Sequence, residues 1–221
     1  MLEYVKFIIS FLKGILFGNS SIISSIPVKS LPEIKNPEKN LMTKEFPEMK
    51  PTSSPLVYFK DVVDRYGVPY DITTQKQDEN IKNKWEQKWM TLWRWDNFEQ
   101  FMSLNSSIKP PVNPPFKRIY CNKELIPYLN LTFKILIEKD LFKEIKTFDG
   151  CWNVRHIRGT TDRWSTHTFG IAVDFNAEEN PLGGPVRFSQ DFLQIWRDSG
   201  WTIGADFSRK DGMHFQLVSK A

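Results

Sequence analysis

Residues 165–174 read Ser-Thr-His-Thr-Phe-Gly-Ile-Ala-Val-Asp, and this stretch decides how the chain is expected to fold. After Gly170, every second residue from 171 to 175 is a large apolar one, which is the period of a strand with one buried face. A glycine directly before a strand permits a sharp turn. The pattern therefore predicts a turn and then a strand on which Asp174 points away from the core.

Further helical and strand-like patterns lie on both sides of this stretch. Helical spacing is found at 56–69, 122–139 and 189–199, and strand-like segments are found at 144–148, 201–204 and 214–218. Helices and short strands that alternate in this way indicate an α+β domain, with a small antiparallel sheet and flanking helices.

Residues 83–101 hold the densest group of aromatic side chains in a sequence that has eight tryptophans. Their spacing predicts a helix face, or a helix followed by an extended turn. Such side chains can stack on sugars or pack in a core, and core packing is the favoured interpretation.

The N-terminal part of the chain differs in composition from the rest. We expect an apolar N-terminal segment at 1–20, a Ser- and Pro-containing linker at 21–55 and a folded domain at 56–221. Residues 4–17 are strongly apolar but contain Lys6 and Lys13, and they are too few for an ordinary spanning helix. A signal-like export segment, an interfacial helix and a packed helix remain open, and contact with a membrane or a partner is favoured.

The net charge favours some partners over others, and the cysteine content argues against one kind of metal site. The net charge of +4 is mildly basic and favours approach to anionic surfaces. The basic residues are scattered, which argues against nucleic acid as a partner. Cys121 and Cys151 form no C-x-x-C pair, so we expect two buried free thiols and no thiolate zinc site.

Histidines give the sharpest functional signal, because the chain has only three. His167 and Asp174 lie in the stretch quoted above, and His214 opens a predicted strand. Zinc accepts such nitrogen and carboxylate ligands, and a catalytic site keeps one position for water. The alternative is two unrelated histidines. His156 lies between two arginines, and we expect it to be a surface or hydrogen-bonding residue.

Other polar residues near these ligands extend the predicted site. Asp211 lies three residues before His214, where a carboxylate can act as a general base or merely shape a turn. Asp206 is the competing carboxylate. Arg155 and Arg158 supply positive charge that can stabilise an oxyanion or bind a substrate carboxylate.

Three motifs together resemble a known family. The segments STHTFGIAVD, WTIG and DGMHF are similar to those of the D-alanyl-D-alanine carboxypeptidase and L-alanyl-D-glutamate peptidase family, closest to its phage endolysin branch. The segment FDGCWNVRHIRGT is similar to the one that carries the family's active-site arginine. The resemblance is clear over residues 116–221 and looser over 56–115.

The resemblance implies a set of site residues. It implies one Zn²⁺ bound by His167, Asp174 and His214, with Asp211 as the catalytic base. Arg155 aligns best with the family's arginine, although Arg158 remains a second candidate. Ser165 is expected to support the site by hydrogen bonding, and Ala205 stands where relatives often carry glycine.

The resemblance also implies a fold and an activity. The fold is the small α+β domain also seen in the hedgehog signalling domain. The activity is cleavage of peptidoglycan peptide stems, as an L-alanyl-D-glutamate endopeptidase or a D,D-carboxypeptidase. We expect a monomeric phage-type lysin or wall-remodelling enzyme, acting in the cell envelope or periplasm or associated with a phage. The alternative is a non-catalytic, zinc-stabilised wall-binding or structural module.

Overall fold

A computed structural model describes residues 59–218. They lie in one compact unit. Within the described residues there are five α-helices and two small antiparallel sheets, so the predicted α+β class is confirmed. The predicted apolar segment 1–20, the linker 21–55 and any contact made by residues 4–17 lie outside the described residues.

The elements follow one another in this order. The helices are α1 (Phe59–Tyr66), α2 (Glu79–Trp89), α3 (Trp95–Asn105), α4 (Ile126–Glu138) and α5 (Gln190–Asp198). The strands are β1 (Met90–Arg94), β2 (Arg118–Asn122), β3 (Phe148–Gly150), β4 (Ala172–Phe175), β5 (Thr202–Ile203) and β6 (His214–Gln216). Short 3-10 helices lie at Lys123–Leu125, Phe142–Glu144, Thr166–Phe169 and Gly204–Asp206.

The larger sheet has four strands in the order β3-β4-β6-β5. Strands β4 and β6 are antiparallel neighbours in its centre, and their register places Asp174 opposite His214. Val173 and Phe215, the next pair along, are fully buried. One face of the sheet therefore packs into the core, and the opposite face carries the polar side chains.

Aromatic packing fixes the central strands on the core. The ring of Phe215 lies 4.2 Å from that of Trp196 on α5, and the ring of Phe175 lies 5.7 Å from Trp196. Phe133 of α4 contacts the same tryptophan at 6.2 Å. All four side chains are fully buried. Helices α4 and α5 thus cover the apolar face and hold β4 and β6 in place.

The aromatic run at 83–101 does not form one helix. Helix α2 ends at Trp89, β1 pairs with β2 from Met90 onward, and α3 begins at Trp95. The prediction of core packing is confirmed, since Trp85, Trp93 and Trp95 are buried. The indole N–H of Trp93 donates to Oδ1 of Asn130 at 2.8 Å, so its one polar atom is satisfied inside the core.

The strand predicted at 144–148 was wrong. A 3-10 helix occupies Phe142–Glu144, and β3 begins only at Phe148. The side chain of Asn176 explains the difference, because its Oδ1 accepts from the backbone N–H groups of Lys146 and Thr147 at 2.8 and 3.1 Å. A side chain thus satisfies backbone donors that a strand would have given to a neighbouring strand.

Two further findings concern the cysteines and the possibility of a membrane-spanning helix. Cys121 and Cys151 are free and buried, as expected, and burial raises the pKa of the Cys121 thiol to about 12. No helix between residues 59 and 218 has the length and apolar character needed to cross a membrane.

Candidate active site

His167 is held by a short, capped 3-10 helix. Its backbone N–H donates to Oγ of Ser165 at 3.3 Å, and the N–H of Gly170 donates to its carbonyl at 3.1 Å. Gly170 has a φ of 62°, and a Cβ there would lie 2.8 Å from Met90 and 2.9 Å from the backbone nitrogen of Asn122. The turn into β4 therefore requires glycine. Ser165 is the residue that caps the 3-10 helix on which His167 lies.

The three predicted ligands meet at one point. Nε2 of His167 lies 3.1 Å from Oδ2 of Asp174 and 3.1 Å from Nδ1 of His214. Nδ1 of His214 lies 3.0 Å from Oδ1 of Asp174. Both histidines are buried, and they are brought together by the 3-10 helix and by the β4–β6 register.

The other nitrogen of each imidazole is used to fix the ring. Nδ1 of His167 lies 2.6 Å from the carbonyl oxygen of Cys151, an atom that can only accept. Nε2 of His214 lies 3.0 Å from Oε1 of Gln216. Each ring therefore donates its N–H away from the cluster and turns its remaining nitrogen towards Asp174.

Gln216 has one orientation because its own partners are fixed. Its side-chain nitrogen donates to the carbonyl of Val218 at 2.7 Å, and its Oε1 accepts from the hydroxyl of Thr166 at 3.0 Å. The amide oxygen is therefore the atom that faces His214. Sequence reasoning missed Gln216, although its position two residues after His214 on a strand places both on one face.

The geometry of these three residues fits a metal ion. Zinc binds histidine nitrogen and carboxylate oxygen at about 2.0–2.2 Å, so ligand atoms at the corners of a tetrahedron lie about 3.3–3.6 Å apart. The observed separations of 3.0–3.2 Å are only slightly shorter. In the part of the chain that the structure describes, His167, Asp174 and His214 are positioned to bind a metal.

The electrostatics of Asp174 suit a ligand. Burial by itself would raise the pKa of Asp174, but its close contacts with His167 and His214 outweigh it and hold the pKa well below the ordinary range. Asp174 is therefore ionised at neutral pH. A half-buried carboxylate in contact with two imidazole nitrogens is a strong cation site.

Asp211 lies beside the three ligands in a turn that packs closely on Gly204. The backbone N–H of Asp211 donates to the carbonyl of Gly204 at 2.9 Å, and the N–H of His214 donates to the carbonyl of Asp211 at 3.0 Å. A Cβ on Gly204 would lie 2.2 Å from the carbonyl oxygen of Asp211. The glycine of the WTIG motif is thus required for the approach of this turn.

Oδ1 of Asp211 makes no hydrogen bond within this turn. This oxygen is buried and has no hydrogen-bond partner among the described residues. Burial raises the pKa of Asp211, the charge of His214 opposes the rise, and the charge of Asp174 adds to it. A buried, unpartnered carboxylate oxygen of increased basicity has the properties of a general base.

The competing carboxylate Asp206 is directed elsewhere. Both of its oxygens accept from the guanidinium of Arg197 on α5, each at 2.8 Å. This exposed pair lies outside the ligand cluster. His156 also lies outside it, with its ring 4.0 Å from that of Trp164, so it is a packing residue rather than a ligand.

The ligands and Asp211 open into one cleft of about 620 Å³. Both predicted arginines line it, but they differ in setting, because Arg155 is half-buried and Arg158 is exposed. Arg155 and Asp211 line the same cleft, and the positive charge of Arg155 acts to lower the pKa of Asp211. Arg163 and Arg209 also line the cleft, and sequence reasoning missed them because single arginines in loops follow no period.

Comparison with known proteins adds to this geometry. The model of a family described as D-alanyl-D-alanine carboxypeptidase matches residues 158–217. Over this segment the chain is similar to that family. The segment contains His167, Asp174, Asp211 and His214, and it begins three residues after Arg155. The family resemblance is thus confirmed, and it supports a peptidase.

No curated protein and no solved structure shows significant similarity to the chain. The evidence for a peptidase therefore consists of the D-alanyl-D-alanine carboxypeptidase match and the geometry of the site. The α+β architecture of residues 59–218 is consistent with that family.

Proposed function

We propose that the protein is a zinc-dependent peptidase that cleaves peptide bonds in the stems of bacterial peptidoglycan. It acts as an L-alanyl-D-glutamate endopeptidase or a D,D-carboxypeptidase. The observation that carries the proposal is the triangle formed by His167, Asp174 and His214 at 3.0–3.2 Å, with Asp211 beside it. The family match supports the class of substrate.

The ligand set suits hydrolysis. Bound by two neutral imidazoles and one carboxylate, Zn²⁺ retains positive charge and supplies Lewis acidity that makes water more acidic. The protein keeps the imidazoles in the required tautomers through the carbonyl of Cys151 and the amide oxygen of Gln216. These contacts preorganise the ligands before any metal arrives.

Asp211 is proposed to move the proton. Its Oδ1 takes a proton from the attacking water as the water oxygen bonds to the carbonyl carbon of the scissile peptide. The C–N bond then breaks, and the same oxygen passes the proton to the amine that leaves. The raised pKa brings the basicity of Asp211 closer to the pH at which such transfers are efficient.

Arg155 is proposed to stabilise negative charge in the cleft. It is the half-buried arginine whose charge reaches Asp211. A guanidinium in that position can hydrogen-bond the oxyanion that develops on the scissile carbonyl, or bind the carboxylate next to the scissile nitrogen. Arg158, exposed on the same loop, is the second candidate for this role.

A purely structural or wall-binding role for the zinc module is the alternative. Oδ1 of Asp211 favours the enzyme, because a module that only binds gains nothing from a buried, unpartnered carboxylate oxygen. Action at the cell wall, in a lysin or a remodelling enzyme, is supported by the family and by the net charge of +4, which favours an anionic polymer.

The test uses the purified full-length protein and purified peptidoglycan. We expect new amino termini or free D-alanine to appear, the release to stop with a chelator, and zinc to restore it. Mass spectrometry of the released fragments identifies the cleaved bond. Absence of release by protein that demonstrably holds one zinc per chain would overturn the proposal.

A further inference from the structure

The cleft has more positive charge than the proposed reaction needs. Four arginines line it, namely Arg155, Arg158, Arg163 and Arg209. Within residues 59–218, the arginine ion pairs are those of Arg65, Arg94 and Arg197, so no carboxylate there pairs with a cleft arginine. The only acidic side chains in the lining are Asp174 and Asp211, which belong to the catalytic cluster.

Arg163 lies on a loop that is held in one conformation. The carbonyl of Arg163 accepts from the N–H of Ile157 at 2.7 Å, and the carbonyl of Arg155 accepts from the N–H of Ser165 at 3.0 Å. Trp164, between these contacts, stacks on Tyr70 with ring centroids 3.9 Å apart. The loop is therefore a short hairpin packed on the domain, and it presents Arg163 at the rim.

Arg209 approaches the same cleft from a second loop. This loop joins the 3-10 helix Gly204–Asp206 to β6. The N–H of Gly183 donates to the carbonyl of Lys210 at 2.6 Å, and a Cβ on Gly183 would lie 3.7 Å from Nε of Arg209. The backbone of both loops is thus fixed, while the side chains of Arg163 and Arg209 are exposed.

A carboxylate is the ligand that suits such groups. Guanidinium groups bind carboxylates through two parallel N–H donors, and a concave site with a single sign of charge concentrates the opposite charge. In the proposed function, Arg155 or Arg158 binds one carboxylate, which lies beside the scissile bond. Arg163 and Arg209 would then remain unpaired unless the substrate brings a second carboxylate.

We propose that Arg163 and Arg209 bind a second free carboxylate of the stem peptide. The cleft therefore selects stems with at least two free carboxylates over stems in which one has become an amide. The inference rests on the proposed function, because it takes the stem peptide as the ligand. A stem that ends in D-alanine and keeps the D-glutamyl α-carboxyl free offers two such groups, one next to either candidate bond.

Three synthetic pentapeptides test the inference. The parent is L-alanyl-γ-D-glutamyl-L-lysyl-D-alanyl-D-alanine, and the others carry either a D-glutamyl α-amide or a C-terminal amide. Calorimetry measures their binding to the zinc-loaded full-length chain with Asp211→Asn, which prevents turnover. Arg163→Gln and Arg209→Gln are compared with Arg187→Gln, an arginine that is also exposed but does not line the cleft.

Removal of one charge-assisted contact is expected to raise the Kd for the parent peptide about tenfold. Arg163→Gln and Arg209→Gln should also both reduce the difference between the parent and the same one of the two amides. Arg187→Gln should bind all three peptides like the unmodified background. If both Arg163→Gln and Arg209→Gln bind the parent peptide with unchanged affinity, the inference is overturned. Hydrolysis of the parent peptide by the wild-type chain is measured separately. A lack of hydrolysis would count against the proposed function, whereas unchanged binding in the two arginine variants would count against the second carboxylate site.

Discussion

Nε2 of His214 lies 3.0 Å from Oε1 of Gln216, two residues further along the same strand. This contact fixes the ring nitrogen that His214 turns towards His167 and Asp174. Gln216→Leu should therefore weaken zinc binding about 10- to 100-fold, the loss typical of residues that orient a metal ligand. Competition titration with a chromophoric chelator measures it.

Two further variants control the Gln216 experiment. In Gln216→Glu the buried acid keeps an acceptor oxygen towards His214, and its O–H replaces the donor to the carbonyl of Val218, so most of the zinc affinity should be retained. Gln194→Leu, on the exposed side of α5, should leave it unchanged. Equal zinc affinity in Gln216→Leu and the wild-type chain would show that the contact does not orient His214.

The close approach of Asp211 to Gly204 predicts a specific loss of turnover. Gly204→Ala places a methyl group where the carbonyl oxygen of Asp211 lies 2.2 Å away, so the turn must move. A displacement of about 1 Å can cost about a hundredfold in rate. We expect kcat to fall by about that factor, whereas Ala205→Gly, the neighbouring change, should have little effect. Steady-state kinetics on a stem pentapeptide decide between these outcomes.

The environment of Asp211 predicts the acid limb of the pH profile. Burial raises its pKa, with His214 opposing and Asp174 adding to the rise. Since a base must be deprotonated, activity is lost as the pH falls through this raised pKa. The midpoint of the acid limb of kcat/KM should therefore lie above about 4, the ordinary value for aspartate. Zinc content measured at each pH separates this limb from loss of metal, and a midpoint below the ordinary value would contradict the assignment.

The packing of Phe215 on Trp196 predicts a large effect on stability. The two rings lie 4.2 Å apart, and both are fully buried. Phe215→Ala should reduce the free energy of unfolding by about 3–5 kcal/mol. Leu104→Ala, at a side chain that is 79% exposed, should change it by less than about 0.5 kcal/mol. Urea unfolding of the zinc-free chains measures the free energy of unfolding of each variant. A similar decrease in Phe215→Ala and Leu104→Ala would show that the contact between Phe215 and Trp196 does not anchor β6.

The parts of the fold and site that the sequence predicted are those with a strong local pattern. The alternation after Gly170 predicted β4, and the apolar spacing at 189–199 predicted α5. His167, Asp174 and His214 were found because histidines are scarce here and the motifs around them are specific. The structure brings these three together, while the roles assigned to Asp211, Arg155, Arg158 and Ser165 stay predictions.

Other features depended on contacts that are distant in the sequence. Strand β1 was missed because the aromatic run continues through it, and only pairing with β2 makes residues 90–94 extended. The strand predicted at 144–148 failed because Asn176, some 30 residues later, takes its backbone donors. Arg163 and Arg209 become members of one cleft only when two separate loops meet.

Asp211 is where the account is tested most directly. The measurement compares zinc content and stem-peptide turnover in the same samples of the wild-type chain, Asp211→Ala and Asp206→Ala. The account predicts one zinc per chain in all three, turnover close to wild type in Asp206→Ala, and a loss of about 10²- to 10⁴-fold in Asp211→Ala. Wild-type turnover in Asp211→Ala, or none in the zinc-loaded wild-type chain, would contradict it.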